Sequence, residues 1–125
     1  MKFIFHIANI LLIVFYLFPG SIIGCLLYND CKIQPQLTPD FIVSSNHVCV
    51  FVIISLLGFV TYAKDRAFKI IIAYFFFIAV FLELVHIIIP ERGFEAKDLG
   101  GNILGVVISL IIFLIFKQRK KNGFI

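Results

Sequence analysis

Two short stretches carry most of the side chains able to do chemistry in an otherwise apolar chain. Glu83-Leu84-Val85-His86 sets an acid three residues before a histidine, on one face of a helix, within a run of Ile, Phe, Leu, Val, Ala and Tyr. Pro90-Glu91-Arg92-Gly93-Phe94-Glu95 follows as a break, and Asp98 and Asn102 then open another apolar run one turn apart. With His47 from an earlier run, these residues define a set of roles. His47 or Glu83 can act as a general base if burial and partners tune it. Arg92 can hold a phosphate or carboxylate through its planar fork. Asp98 can orient a histidine or bind a cation, and Asn102 can position a polar group. The same residues can instead form a buried network of Glu83, His86, Arg92 and Asp98 that only pins helices together. His47, Glu83, His86 and Asp98 are of types that suit zinc. Their distant members have no diagnostic spacing, so no metal and no cofactor are expected. There is no phosphate loop, nucleophile elbow or paired-cysteine metal motif.

The elements that position these groups follow from composition. The chain has 125 residues, 62% of them hydrophobic and 14% charged, with a mean hydropathy of +1.09. A soluble domain needs far more polar surface. At roughly 20 apolar residues per crossing, the length admits about four helices and short links, so an all-α polytopic membrane protein is expected: a single domain over residues 1–125, folded as a four-helix transmembrane bundle. Helices are expected over about residues 3–27, 41–62, 70–89 and 98–116. The first run is interrupted at Pro19-Gly20, which a membrane helix can absorb as a kink. Thr38-Pro39-Asp40 offers Asp40 as a cap for the second. Pro90 and Gly93 separate the third from the fourth.

Charge sets an orientation. The formal charge is +4, with 11 Lys and Arg against 7 Asp and Glu. The basic residues collect at Lys2, in the link of Lys64, Arg66 and Lys69, and after Phe116, which fall on one side of a four-crossing bundle. The positive-inside tendency then puts both termini in the cytoplasm. The lipid bilayer is the partner this implies, and nucleic acid is not. Loops 28–40 and 90–97 lie outside. A Cys25–Cys31 disulfide is permitted there, two free thiols being the alternative; Cys49 is expected as a small buried hydrophobe. Ile22-Ile23-Gly24-Cys25 also looks like a lipoprotein cleavage box, whose use would lipidate Cys25 and leave three helices in the same orientation.

Depth then relates distant residues. With a helix starting near Asp40, His47 enters about 10 Å from the outer side; Glu83 lies about 10 Å before Pro90, and Asn102 about 6 Å beyond Asp98. All fall in the outer half of the membrane, where ionisable groups are costly and by default face a protein interior or wet cavity. Gly101-x-x-x-Gly105-x-x-x-Ser109 supplies a small-residue stripe for close helix packing, inside one chain or as the face of a homo-oligomer.

The pattern Glu83-x-x-His86, Pro90-x-Arg92-x-Phe94-Glu95-x-x-Asp98-x-x-x-Asn102-x-x-Gly105 resembles the VanZ-like family of small bacterial membrane proteins, over roughly residues 10–110. The family usually has glutamine at the place of His86. His47 looks like its histidine in the preceding helix, while the Asp-Lys pair that commonly begins that motif is replaced by Val43 and Ser44. The resemblance implies a multi-pass protein of the bacterial cytoplasmic membrane acting at the cell envelope through an outward-facing polar site, without an established turnover. An enzyme acting on a lipid-linked envelope precursor through His47 or Glu83 and Arg92 is one alternative. An accessory protein of glycopeptide antibiotic resistance is another.

Overall fold

The computed structural model describes residues 1–123, and among them the regular structure is all helical: α1 Lys2–Leu17, α2 Ile22–Tyr28, α3 Ser45–Thr61, α4 Phe68–Val85 and α5 Ala96–Lys121. By length and composition α4 and α5 can each cross a membrane, and α1 with α2 qualifies only as a pair bent by 79°. α3 is apolar too but has only 17 residues.

The continuous helix expected over residues 3–27 is not formed. Pro19 has no N–H for a helical bond, and Gly20 sits at φ 77°. A Cβ there would lie 2.5 Å from the Cys31 carbonyl oxygen, so glycine is required by backbone angle and by space. The chain restarts at Ser21, whose side chain accepts from the Gly24 N–H at 3.0 Å and whose own N–H donates to Cys31 at 2.7 Å. A Cys25–Cys31 disulfide ties α2 to the loop that follows.

Other boundaries move as well. α3 begins at Ser45 rather than at residue 41, because the extended Ser44 donates its N–H to the Lys97 carbonyl at 3.1 Å. Asp40 accepts from the Ser45 N–H at 3.1 Å, capping across the intervening bend. α4 starts at Phe68, after an Asp65 turn whose carboxylate accepts from the Ala67 N–H at 2.9 Å. It ends at Val85 rather than at residue 89: the chain tightens into i→i+3 bonds from Ile87 to Leu84, Ile88 to Val85 and Ile89 to His86, ahead of Pro90, which disfavours helix in the residue before it. α5 begins at Ala96 and continues to Lys121, its last turn carrying Arg119, Lys120 and Lys121, cations that suit a helix C-terminus.

The core is aromatic. Phe51, Phe59 and Phe75 are fully buried, with Phe59 and Phe5 meeting Phe75 edge to face. The outer surface is the reverse of a soluble bundle, with Phe3, Ile53, Ile70, Phe77 and Phe116 exposed. At one end Lys2 pairs with Asp65 at 2.8 Å, and that bond, with the one from Ala67, holds the Asp65 carboxyl below its ordinary range. Lys117 lies over the Phe68 and Phe113 rings. The N-terminus, the α3–α4 link and the end of α5 therefore share one end of the molecule.

The most extensive helix pairing is α3 with α5, and the small-residue stripe is its seam. A Cβ at Gly101 would lie 2.8 Å from the Ser44 carbonyl oxygen and 2.9 Å from His47 Cβ; one at Gly105 would lie 2.7 Å from Val48 O and from Phe51 Cβ. Ser109 closes the row, donating to Val52 O at 2.8 Å. The stripe is occupied within the chain and is not a free face for a second copy. A Gly105→Leu substitution is expected to part α3 from α5 and to lower stability by about 1–3 kcal/mol, the usual cost of overpacking. Gly93→Ala, where a Cβ meets nothing within 4 Å, should leave it unchanged. Thermal unfolding of the purified protein in detergent checks both.

Candidate functional site

The helices bring polar side chains to the end opposite Lys2 and Lys117. His47 is in the first turn of α3, Asp98 in the first turn of α5 with Asn102 one turn further, and Glu83 in the last turn of α4. His86 is the C-cap of α4. The late start of α3 places His47 nearer the helix end than the sequence suggests. The residues share a level because chain ends alternate in an up-and-down bundle.

A residue absent from the sequence reading forms the centre. Tyr16, near the C-terminus of α1, is buried, and its hydroxyl donates to Asn102 Oδ1 at 2.9 Å and meets His47 Nδ1 at 3.0 Å. His47 Nδ1 is also 2.9 Å from Asn102 Oδ1. The Tyr16 ring stacks on His86, centroids 5.7 Å apart at 15°, and the Tyr16 carbonyl accepts from His86 Nε2 at 3.0 Å. Its signal in the sequence was slight: one tyrosine at the C-terminal end of an apolar run, just before Pro19-Gly20.

Asn102 locks the arrangement. Its Nδ2 donates to the Ala79 carbonyl at 3.0 Å, which turns Oδ1 toward Tyr16 and His47. On the other ring nitrogen, His47 Nε2 lies 3.4 Å from Asp98 Oδ2. Glu83 is fully buried. Its Oε1 accepts from the Glu95 N–H at 2.9 Å, tying the end of α4 to the N-cap of α5. Its Oε2 is 3.2 Å from His86 Nδ1 without hydrogen-bond geometry, and so has no hydrogen-bond partner. One ligand atom from each of His47, Glu83 and Asp98 falls within 4.8 Å of the others; His86 is not in that group.

Arg92 is brought to the same end in another role. Its Nε donates to Phe18 O at 3.3 Å and its Nη2 to Phe15 O at 3.2 Å, covering carbonyls left open where α1 stops. It also lines a cavity of about 380 Å³ between the bent α1–α2 pair, the 34–37 loop and α3, whose wall includes Tyr16, His47, Ile23, Leu27 and Val50. Asn46 fastens the loop that roofs this cavity, accepting from the Leu37 N–H at 2.9 Å and donating to Pro35 O at 2.7 Å. The disulfide lies in the α2 segment and not in the polar cluster. Cys49 is exposed on α3 and not buried, since it lies off the face that meets α5.

Tyr16→Phe removes the shared hydroxyl without changing shape, and Asn102 Oδ1 loses a buried donor. A loss of about 1–2 kcal/mol is expected, read as a lowered unfolding midpoint, while Tyr28→Phe at an exposed position should have no effect. Compared with protein-family models, curated proteins and solved structures, the chain matches none of them.

Proposed function

We propose that the protein is a VanZ-like integral membrane protein of the bacterial cytoplasmic membrane that binds the head of an anionic amphiphile at the outer face. In this reading α1, α3, α4 and α5 each cross and both termini are cytoplasmic. α1 and α3, with 16 and 17 residues, are about 24–26 Å long against a hydrocarbon core of about 30 Å. Local thinning accommodates that mismatch at modest cost. The gathering of Lys2, Lys117 and the 64–69 link at one end supports the orientation.

The observation that carries the binding reading is the cavity beside the polar cluster. Ile23, Leu27 and Val50 offer an apolar wall, while His47 and Arg92 stand at its polar side. A largely apolar recess with a few convergent polar groups is the ordinary form of a small-molecule site. Arg92 keeps its charge although two of its nitrogens cap α1. A phosphate-bearing lipid whose chain follows the apolar wall satisfies both halves, and a lipid-linked envelope precursor is such a molecule. Binding is the proposed activity, with no turnover assigned.

Orientation is checked with Gly93→Cys in a Cys49→Ala background: a membrane-impermeant maleimide should label intact cells, and labelling only after lysis would reverse the topology. Binding is checked by native mass spectrometry with a polyprenyl phosphate against a zwitterionic phospholipid. Wild type should retain the phosphate lipid preferentially, and Val50→Trp, which fills the cavity, should retain at least about tenfold less. Equal retention by the two proteins would overturn the reading.

A further inference from the structure

His47, Asp98 and Glu83 bring three ligand atoms together in the polar cluster. The orientation of Asn102 decides the first. Its Nδ2 donates to the Ala79 carbonyl, so the atom 2.9 Å from His47 Nδ1 is an amide oxygen, which only accepts. His47 therefore carries its proton on Nδ1. In the neutral ring Nε2 is then a bare lone pair, and it faces Asp98 Oδ2 at 3.4 Å. A second carboxylate, Glu83, completes a set whose ligand atoms lie within 4.8 Å of one another.

An independent observation concerns Glu83 itself. Its side chain is fully buried and Oε2 has no hydrogen-bond partner. In its neutral form the nearby His86 does not supply one, because its Nε2 then carries the only ring proton and donates it to the Tyr16 carbonyl. In the neutral ring Nδ1 is then another lone pair, 3.2 Å from Oε2. A buried carboxylate oxygen confronting only acceptors needs a cation.

We propose that His47 Nε2, Asp98 Oδ2 and Glu83 Oε2 hold a divalent transition-metal ion, with zinc the best fit. One imidazole and two carboxylates are the donor types of zinc and manganese rather than of calcium, which takes six to eight oxygens. Ligand bonds of about 2.0–2.2 Å in a tetrahedron put neighbouring donor atoms about 3.3–3.6 Å apart, and the His47–Asp98 separation of 3.4 Å is such an edge. The surrounding contacts hold the ligands as metal sites require: Asn102 orients His47, and the Glu95 N–H fixes the other oxygen of Glu83. Three protein ligands leave one position open, and Asp98, with its side chain 19% exposed, marks the way in. The inference goes beyond the binding of an amphiphile and does not depend on it.

The test uses the full chain in detergent, stripped by chelator and titrated with zinc alone and with manganese alone, with bound metal measured directly and unfolding midpoint followed in parallel. Wild type should take up one zinc per chain, and its midpoint should rise. Asp98→Asn, isosteric and at a partly exposed position, should lose at least about tenfold in affinity, and Glu83→Gln likewise. Asn102→Leu should weaken zinc by about 10–100-fold, as loss of an orienting partner does. Val50→Trp should bind zinc like wild type, which separates this inference from the cavity reading. A folded, stripped wild type that takes up no stoichiometric metal, its midpoint indifferent to zinc, would overturn the proposal and leave an additional proton on His47 or His86 as the compensating charge. Wild-type affinity in both Asp98→Asn and Glu83→Gln would overturn it equally.

Discussion

The Tyr16–His47–Asn102 triangle is the interaction on which the polar end of the molecule depends. Each group comes from a different helix, α1, α3 or α5, and each is buried. In an apolar surrounding an unpaired donor or acceptor costs more than a hydrogen bond contributes on balance. The three helices are therefore held in one relative arrangement by the need to satisfy all three groups at once. The Asn102 bond to Ala79 extends the same constraint to α4, so one amide relates all the long helices.

That constraint acts over short distances only because the α3–α5 seam is tight. Gly101 lies directly against Ser44 and His47, and a bulkier residue would hold His47 away from Asp98 and Asn102. Lipid offers helices no hydrophobic drive to associate, so close packing of small residues and a few interhelical hydrogen bonds carry the assembly. Here both lie along one stripe, with Ser109 bonded to α3 at its lower end and Asn102 inside the cluster at its upper end. Packing and site are one interface viewed at two depths.

The cavity wall is built by different means. The 79° bend between α1 and α2, the Cys25–Cys31 bond and the Asn46 contacts with the 35–37 loop hold a short helix and a loop with little regular structure beside α3. Arg92 reaches this wall from the α4–α5 connection and closes the end of α1. A side chain whose sequence context suggests a ligand clamp is thus first a cap, and any ligand it meets is met by a guanidinium already oriented by backbone carbonyls.

The sequence by itself determined the helical class, the gathering of basic residues at one end, the polar character of the other and the small-residue stripe. Each of these rests on composition, charge or helical period, which are properties of local chain. It also singled out His47, Glu83, His86, Arg92, Asp98 and Asn102, because polar residues stand out against an apolar run. Only the tertiary structure decided how these residues pair. His86 turns to the Tyr16 carbonyl while His47, Glu83 and Asp98 draw together, and the stripe faces α3 rather than a second copy. Tyr16 was invisible as a hub because a tyrosine in an apolar run looks the same whether its hydroxyl reaches an interface or a buried asparagine 86 positions away. Helix ends were equally out of reach: the limits of α3 and α4 are set by the Lys97 carbonyl and the turn before Pro90. Partners so distant along the chain leave no periodic trace in it, and only packing brings their hydrogen bonds into being.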